Sequence, residues 1–367
     1  MRLYIITCLG FFITLFTNAQ NQSVNDSIGV DTLQVQALKD TLIIPIEAQE
    51  KFNQGIQAYN QGNNKKAIDF FGQAITIEGR FMKPYFNRGM VRYDMKDFKG
   101  AIEDFTMVIE NDSLRENDMA IYKRGQCKNE LGDKEGALID YELTTNLNNK
   151  NADAYYYSGV IKFEQKKYAE AKKLFTKAII VKPDYAYAYN DRGSVKKILE
   201  DFKGAKDDYN KAIMHNPKLA FAYNNLGSVK RKLGDYNGAL AEYNQAIRLK
   251  PDYFIAYNNR GSVYFDLENY DEAIKDFTKA VKINNEYAFA YNNRATAKYK
   301  KRDYQGSIDD CTQAIAIDGN YGEAYLNRGI SKEMTRNKQG ACDDWQKAFE
   351  LGIKNGNSYV ESTCNEE

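Results

Sequence analysis

Small and aromatic residues recur along this chain at one fixed interval. Glycine stands at 55, 89, 125, 159, 193, 227, 261 and 329, with Ala295 in the one missing slot; the steps are 34, 36, 34, 34, 34, 34, 34 and 34 residues. Twelve residues after each of these positions stands alanine, at 67, 101, 137, 171, 205, 239, 273 and 341, with Ser307 the exception. Four further on stands an aromatic ring, from Phe71, Phe105 and Tyr141 through Phe175, Tyr209, Tyr243 and Phe277 to Trp345, with Cys311 the exception. Tyrosine precedes the glycine position by four residues in seven units. Positions three before, one after and four after each glycine are four and three residues apart, the spacing of one helical face. Breakers are few, with 5 prolines in 367 residues, so the pattern predicts a long array of helices. A period of this length is the mark of stacked units. Nine of them fill 48–81, 82–117, 118–151, 152–185, 186–219, 220–253, 254–287, 288–321 and 322–355.

These columns, with Pro183, Pro217 and Pro251 closing three units, resemble the tetratricopeptide repeat family over most of the chain. The resemblance implies an all-α, right-handed superhelical solenoid of nine antiparallel helix pairs with a short C-terminal capping helix. Small Gly and Ala let two helices approach and the aromatics fill the space between them. One pair cannot bury its apolar face alone, so neighbours stack. Helices are expected near 48–61 and 64–77, recurring every 34 residues. The first and last units depart most from the pattern, with Lys51 in the tyrosine column and Ile353 in the proline column, as terminal caps do. The implied function is non-catalytic protein or peptide binding in the concave groove, without a cofactor.

Two polar columns keep the same phase. Arg88, Arg124, Arg192, Arg260, Arg294 and Arg328 precede the glycine position, and the same six units carry Asp104, Asp140, Asp208, Asp276, Asp310 and Asp344 fifteen residues after it. The other three units lack the combination, having Gln54 with Phe70, Ser158 with Leu174 and Leu226 with Glu242. Residues that come and go together, at nearly equal distances from the turn of a hairpin, predict an internal Arg–Asp pair. The rival reading is an arginine ladder for anions. Two before the glycine stand Asn53, Asn87, Asn225, Asn259, Asn293 and Asn327, with Asp191 of similar shape. In the family this column can line the concave surface. An amide there offers donor and acceptor to an extended backbone; the alternative is a column facing water or the neighbouring helix. On this reading Asn225, Asn259, Asn293 and Asn327 hold a backbone. Phe86, Tyr93, Tyr122, Tyr156 and Phe163 give the N-terminal part of the face an aromatic character, while Lys197 and Arg231 favour an acidic segment in the middle. The aromatics serve either as ligand anchors or as packing between helices. A glycan or other small ligand stacked on those rings, or a purely structural spacer, are the alternative functions.

Charge and chemistry exclude more than they add. Lys and Arg total 51 against 50 Asp and Glu, which leaves no basic footprint for nucleic acid. A single histidine, His215, removes most metal sites and histidine-dependent triads; it replaces an aliphatic residue near a helix end and reads as packing. The doublets Asp207-Asp208, Asp309-Asp310 and Asp343-Asp344 contain members of the arginine pairing and do not read as catalytic dyads. No phosphate loop, metal spacing or nucleophile elbow is present. Arg2, an uncharged run from Leu3 to Phe16, and Thr17-Asn18-Ala19 form the pattern of a signal peptide cut after residue 19. The run is too short to span a bilayer comfortably, although an uncleaved anchor is the rival. The expected location is therefore periplasm, cell surface or medium, with no stable membrane span after cleavage. Residues 20–44 are polar and aperiodic and read as a flexible tether. In it, Asp26-Ser27-Ile28, Asp31-Thr32-Leu33 and Asp40-Thr41-Leu42 match a short bacterial O-glycosylation motif that also arises from composition alone.

Cys127 and Cys311 occupy columns held elsewhere by aliphatic and aromatic residues and read as small core residues. The end of the chain resembles the closing segment of other bacterial proteins of this kind. It reads as a helix over 340–351, a turn over 352–356 and a capping helix from about Asn357. Cys342 and Cys364 are each 11 residues from Ile353, so such a hairpin brings them together. A Cys311–Cys342 bridge and four free thiols remain the alternatives.

Overall fold

The computed structural model describes residues 43–111 and 117–364; the expected signal peptide and most of the tether lie outside them. The described chain is helical and forms nine antiparallel pairs. These are α1 (Ile46–Asn60) with α2 (Asn64–Ile77), α3 (Met82–Asp94) with α4 (Phe98–Asn111), and α5 (Asp118–Glu130) with α6 (Lys134–Leu147). Next come α7 (Ala152–Glu164) with α8 (Tyr168–Val181), α9 (Ala186–Ile198) with α10 (Phe202–His215), and α11 (Ala220–Lys232) with α12 (Tyr236–Leu249). The last are α13 (Phe254–Asp266) with α14 (Tyr270–Ile283), α15 (Ala288–Lys300) with α16 (Tyr304–Ile317), and α17 (Gly322–Met334) with α18 (Lys338–Glu350). A short α19 (Lys354–Tyr359) and a π-helical turn at Val360–Cys364 close the array.

The turn inside each pair has one design. The first helix ends with a left-handed residue seven after the glycine position, and the next N–H reaches back five residues, as Asn63 N does to Ala58 O and Lys167 N to Lys162 O at 2.9 Å each. Gly62, Gly132 and Gly234 suit that conformation, whereas Lys96, Lys166, Glu200, Glu268, Arg302 and Arg336 adopt it at φ values of 59° to 64°. Asp or Asn then caps the second helix in eight of the nine pairs, the fourth having Lys167 there without a side-chain cap; the Asp201 and Asp235 carboxylates accept from Gly204 N and Gly238 N at 2.9 Å.

The glycine column exists because an aromatic ring lies against it. A Cβ on Gly261 would sit 2.8 Å from the Phe277 ring, and one on Gly193 would sit 2.9 Å from Tyr209. The eighth unit solves the same problem differently. Ala295 replaces glycine where Cys311 replaces the ring, and both of these side chains are fully buried; a smaller partner makes room for the methyl group. Ser307, in the alanine column of that unit, bonds to Ser331 at 2.8 Å.

The capping helix corrects the sequence-based boundary. It begins at Lys354, three residues earlier than expected, because Gly352 alone makes the turn at φ 89° and Ile353 N closes it on Ala348 O. Gly356 lies inside α19, where a Cβ would be 2.5 Å from Trp345 O; its lack of a side chain lets α19 cross α18 closely. Tyr359 stacks on Trp345 with ring centroids 4.9 Å apart. Cys342 and Cys364 form a disulfide with Cα atoms 5.9 Å apart, while Cys127 and Cys311 are buried free thiols.

Candidate functional site

First helices of successive pairs touch one another, whereas second helices make no comparable contact with each other. A stack built this way curves with the first helices inside, which makes them the concave layer. The inner layer is tied together across repeats by side chains 35 residues apart. Asn225 Nδ2 donates to Asn190 Oδ1 at 3.1 Å, Asn259 to Asn224 at 3.0 Å, Asn293 to Asn258 at 2.9 Å and Asn327 to Asn292 at 2.9 Å. The acceptors Asn190, Asn224, Asn258 and Asn292 are buried and the donors half-buried. Each of the four asparagines expected to hold a ligand therefore commits one N–H to the preceding repeat. A second N–H is left for a ligand on Asn225, Asn259 and Asn293, and the carbonyl on Asn225, Asn293 and Asn327, because Asn259 Oδ1 accepts from Asn258 Nδ2 at 3.5 Å and Asn327 Nδ2 also reaches Thr296 Oγ1 at 3.5 Å.

The Arg–Asp columns meet inside each pair. Arg260 Nε and Nη2 bind the Asp276 carboxylate at 2.7 Å each, and Arg192 grips Asp208 in the same fork at 2.8 and 2.7 Å. Arg88–Asp104, Arg124–Asp140, Arg294–Asp310 and Arg328–Asp344 are equivalent, at 2.7 to 2.8 Å. Sequence reasoning missed a second cation, three residues after the glycine position. Arg92, Lys128, Lys196, Lys298 and Lys332 each reach the same carboxylate at 2.8 to 2.9 Å. The signal was a phased Lys column. Tyr264 interrupts it in the seventh unit, so Asp276 has Arg260 as its one ion-pair partner there. Burial pushes the Asp276 carboxyl up against the pull of Arg260.

The five aromatic anchors are packing residues to different degrees. Tyr122 is only 6% exposed, lying against Tyr141 and Tyr157 with its hydroxyl accepting from Gln126. It is corrected from groove anchor to core residue, because its ring fills the gap between Tyr141 on the second helix of its own pair and Tyr157 on the first helix of the next. Phe86, Tyr93 and Phe163 are half-buried, edge-on to Phe105, Phe98 and Tyr168 at 5.6 to 5.8 Å. Tyr156 is also half-buried and donates to Asp191 Oδ2 at 2.8 Å. Burial pushes the Tyr93 hydroxyl up to about 12, with Glu130 adding to it.

The two cations of the middle units also separate. Arg231 is engaged by Asp266 of the next repeat through two bonds of 2.6 and 3.0 Å, which corrects its assignment as a free cation for an acidic ligand. Lys197 has no ion-pair partner among the described residues; burial alone pulls its ammonium below the usual lysine range. The residue 35 further on is Lys232, where Arg231 finds Asp266. Arg231 and Asn293 share a depression of about 220 Å³ with Ser262, Phe265, Asp266, Phe277 and Thr296, which shows these columns to be one surface. His215 stacks on Tyr189 at 5.5 Å, a packing role. Among the described residues no group of three or more His, Cys, Asp or Glu is arranged to hold a metal ion. No described helix is long and apolar enough to cross a membrane.

Similarity to known proteins falls on the repeats. Residues 153–180, 186–219 and 254–287 match the tetratricopeptide repeat, and residues 227–267 match a family described as TPR repeat. Human tetratricopeptide repeat protein 6 is 29% identical over 176 residues, 46% of this chain and 33% of its own length, so the chain spans a third of that relative. A tetratricopeptide repeat protein from Parabacteroides merdae superposes with a TM-score of 0.54 at 19% identity, over 68% of this chain and 98% of its own. The structure of the APC/C hetero-tetramer Cut9–Hcn1 does so with a TM-score of 0.57 at 14% identity, over 88% and 77%. Both likenesses are of fold. Phased columns, stacked helix pairs and matched repeats together make this chain a tetratricopeptide repeat protein, and its fold a protein-interaction scaffold.

Proposed function

We propose that the concave face binds an extended segment of another protein, without catalysis, after export from the cytoplasm. The observation that carries this reading is the row Asn225, Asn259, Asn293 and Asn327, half-buried and one repeat apart, in the same layer of first helices as Lys197, which has no ion-pair partner among the described residues. Amides at a regular step match the regular donors and acceptors of a backbone, whatever its sequence. A desolvated ammonium without a counter-charge favours a ligand that brings a carboxylate. Phe163 and Tyr93 add apolar surface at the N-terminal end of the same layer. Export is supported by the signal-like residues 1–19 and by the Cys342–Cys364 bridge, since disulfides persist in oxidising compartments.

The test is crosslinking of the native protein in envelope and culture fractions, followed by mass spectrometry. Wild type is compared with Lys197→Gln and with Ile180→Ser, which lies on an exposed second-helix position. Partners lost in Lys197→Gln and retained in Ile180→Ser support the reading. Partners unchanged in both place binding elsewhere. Enrichment of glycan without any protein partner favours the small-ligand alternative instead.

A further inference from the structure

The inner face of units five to eight carries a third rail beside the amides. Six residues before the glycine position stand Tyr187, Phe221, Ile255 and Phe289. This position, the asparagine column and the column one after the glycine are four and three residues apart, hence on one helical face. Tyr187 is 46% exposed and Phe289 56%, a large apolar display for a folded surface. Tyr187 and Phe221 meet along the rail, with ring centroids 5.9 Å apart, whereas Phe289 packs at 5.2 Å on Tyr321, which stands eight residues before the glycine of the ninth unit, where the rail position itself is Glu323. The third column is small and hydroxylated, with Ser194, Ser228, Ser262 and Thr296, and leaves room above it. Aromatic, amide and hydroxyl rails thus run in parallel, each repeating once per packed helix.

Packed helices have axes about 8–10 Å apart. A ligand crossing the first helices has to present the same face at that interval. A polyproline-II helix does so, because it turns once in three residues at a rise of about 3.1 Å each, or about 9.3 Å per turn. An extended strand advances about 10 Å in three residues, but its side chains alternate, so every third residue points away. An α-helix of heptad spacing advances about 10.5 Å, but its backbone groups are satisfied internally and give the amide rail nothing to bind. A polyproline-II backbone leaves its carbonyls free for the second N–H of Asn225, Asn259 and Asn293. We infer that the groove of units five to eight binds a polyproline-II segment. The segment has an apolar residue at every third position on the aromatic rail and an acidic residue at the end lying over Lys197. Its charge follows from that ammonium, which lacks a counter-ion, beside the exposed Lys232.

This rests on the groove reading and deepens it. The probes are three fluorescein-labelled peptides, each beginning with two aspartates. One is four repeats of leucine-proline-proline, one a threonine-rich strand former with leucine at alternate positions, and one an alanine-rich helix former with leucine at heptad spacing. Fluorescence anisotropy is read on the full chain and on Tyr187→Ser and Phe289→Ser, at exposed positions, and on Lys197→Gln, which replaces a half-buried, unpaired cation by a neutral side chain of similar length; circular dichroism checks that each fold is intact. The expected result is tightest binding of the proline peptide, weakened roughly ten-fold by Phe289→Ser or Tyr187→Ser. Lys197→Gln weakens it similarly, and that loss disappears when the aspartates are replaced by asparagines. If the strand or helix peptide binds as tightly as the proline peptide and the groove variants weaken it, the inference fails while the groove reading stands. If no groove variant changes the binding of any probe, both fail.

Discussion

Replacing Arg260 by leucine tests the ion-pair logic most directly, because Asp276 is the buried aspartate of the six pairs that meets no second cation among the described residues. In the wild type two bonds of 2.7 Å tie it to Arg260, and the side chains are 20% and 8% exposed. Removing one member of such a pair leaves an uncompensated buried charge, at a cost of about 3–5 kcal/mol. Arg192→Leu makes the same cut in unit five, where Lys196 still reaches Asp208 at 2.8 Å. One charge-assisted bond survives there, so its loss should be smaller, about 1.5–3 kcal/mol. The double variant Arg260→Leu/Asp276→Leu removes charge and counter-charge together and should be milder than either single change. A nine-unit array need not unfold in one step, so the assay is hydrogen exchange read by mass spectrometry on α13 and α14. The variant also has a pH signature. Burial already holds the Asp276 carboxyl above its unfolded value near 3.9, and without Arg260 it rises further. A carboxyl raised in the fold favours folding below the unfolded value, and that contribution is lost as pH climbs through the folded value. The deficit of Arg260→Leu should therefore shrink between pH 7 and pH 5. Equal losses for Arg260→Leu and Arg192→Leu, or additive losses in the double variant, would refute the reasoning.

Three further outcomes follow from the geometry. Reducing Cys342–Cys364, or changing Cys364 to serine, should loosen α19 by about 3 kcal/mol on the chain-entropy scale for a loop of 22 residues, read as faster exchange in α19 and altered Trp345 fluorescence; burial pushes the Cys127 and Cys311 thiols up to about 12, so iodoacetamide should label them only after unfolding. Lys166→Gly should stabilise unit four by about 1 kcal/mol, since a side chain at φ 59° is strained; a loss in denaturant midpoint would count against the turn analysis. Asp191, whose carboxyl burial holds high while Tyr156 and Asn190 donate to it, favours folding below its unfolded value and loses that contribution as pH rises. Asp191→Asn should therefore flatten the stability profile between pH 4 and 7 and raise stability at pH 7.

The repeat phase made most of the fold legible, because each column answers one steric demand. Glycine faces a ring, alanine fits between helices, and aspartate or asparagine caps the second helix. Where one residue changed, its neighbour changed with it, as Ala295 and Cys311 do. The Arg–Asp geometry was readable for the same reason. The lysine column was equally regular and escaped notice because lysine at an exposed-looking helical position usually means a solvated face. The groove was harder to read. Tyr122 and Tyr156 occupy the same column, yet one is buried against Tyr141 and Tyr157 and the other bonds to Asp191, a difference set by contacts across repeats. The early start of α19 turned on Gly352 making the turn by itself, which left Gly356 inside the helix, where its close contact with Trp345 has no local sequence signature.

What divides structure from binding on the inner layer is the residue that each polar group meets 35 positions away. Tyr59 meets Asp94, Tyr156 meets Asp191, Arg231 meets Asp266, and each asparagine of the ladder meets another asparagine. These pairs satisfy themselves within the protein, and losing one member destabilises the stack whatever the groove binds. Lys197 meets Lys232 at that offset, and its desolvation goes uncompensated. Departures of this kind from local consistency are expected at functional sites. The exposed rings of Tyr187 and Phe289 are a second departure, because soluble surfaces usually exclude broad apolar displays. Both departures lie in units five to eight, beside the amides with hydrogen-bonding capacity to spare. The part of the concave face that carries an uncompensated cation and exposed rings beside its amide ladder is therefore the part equipped to hold something else.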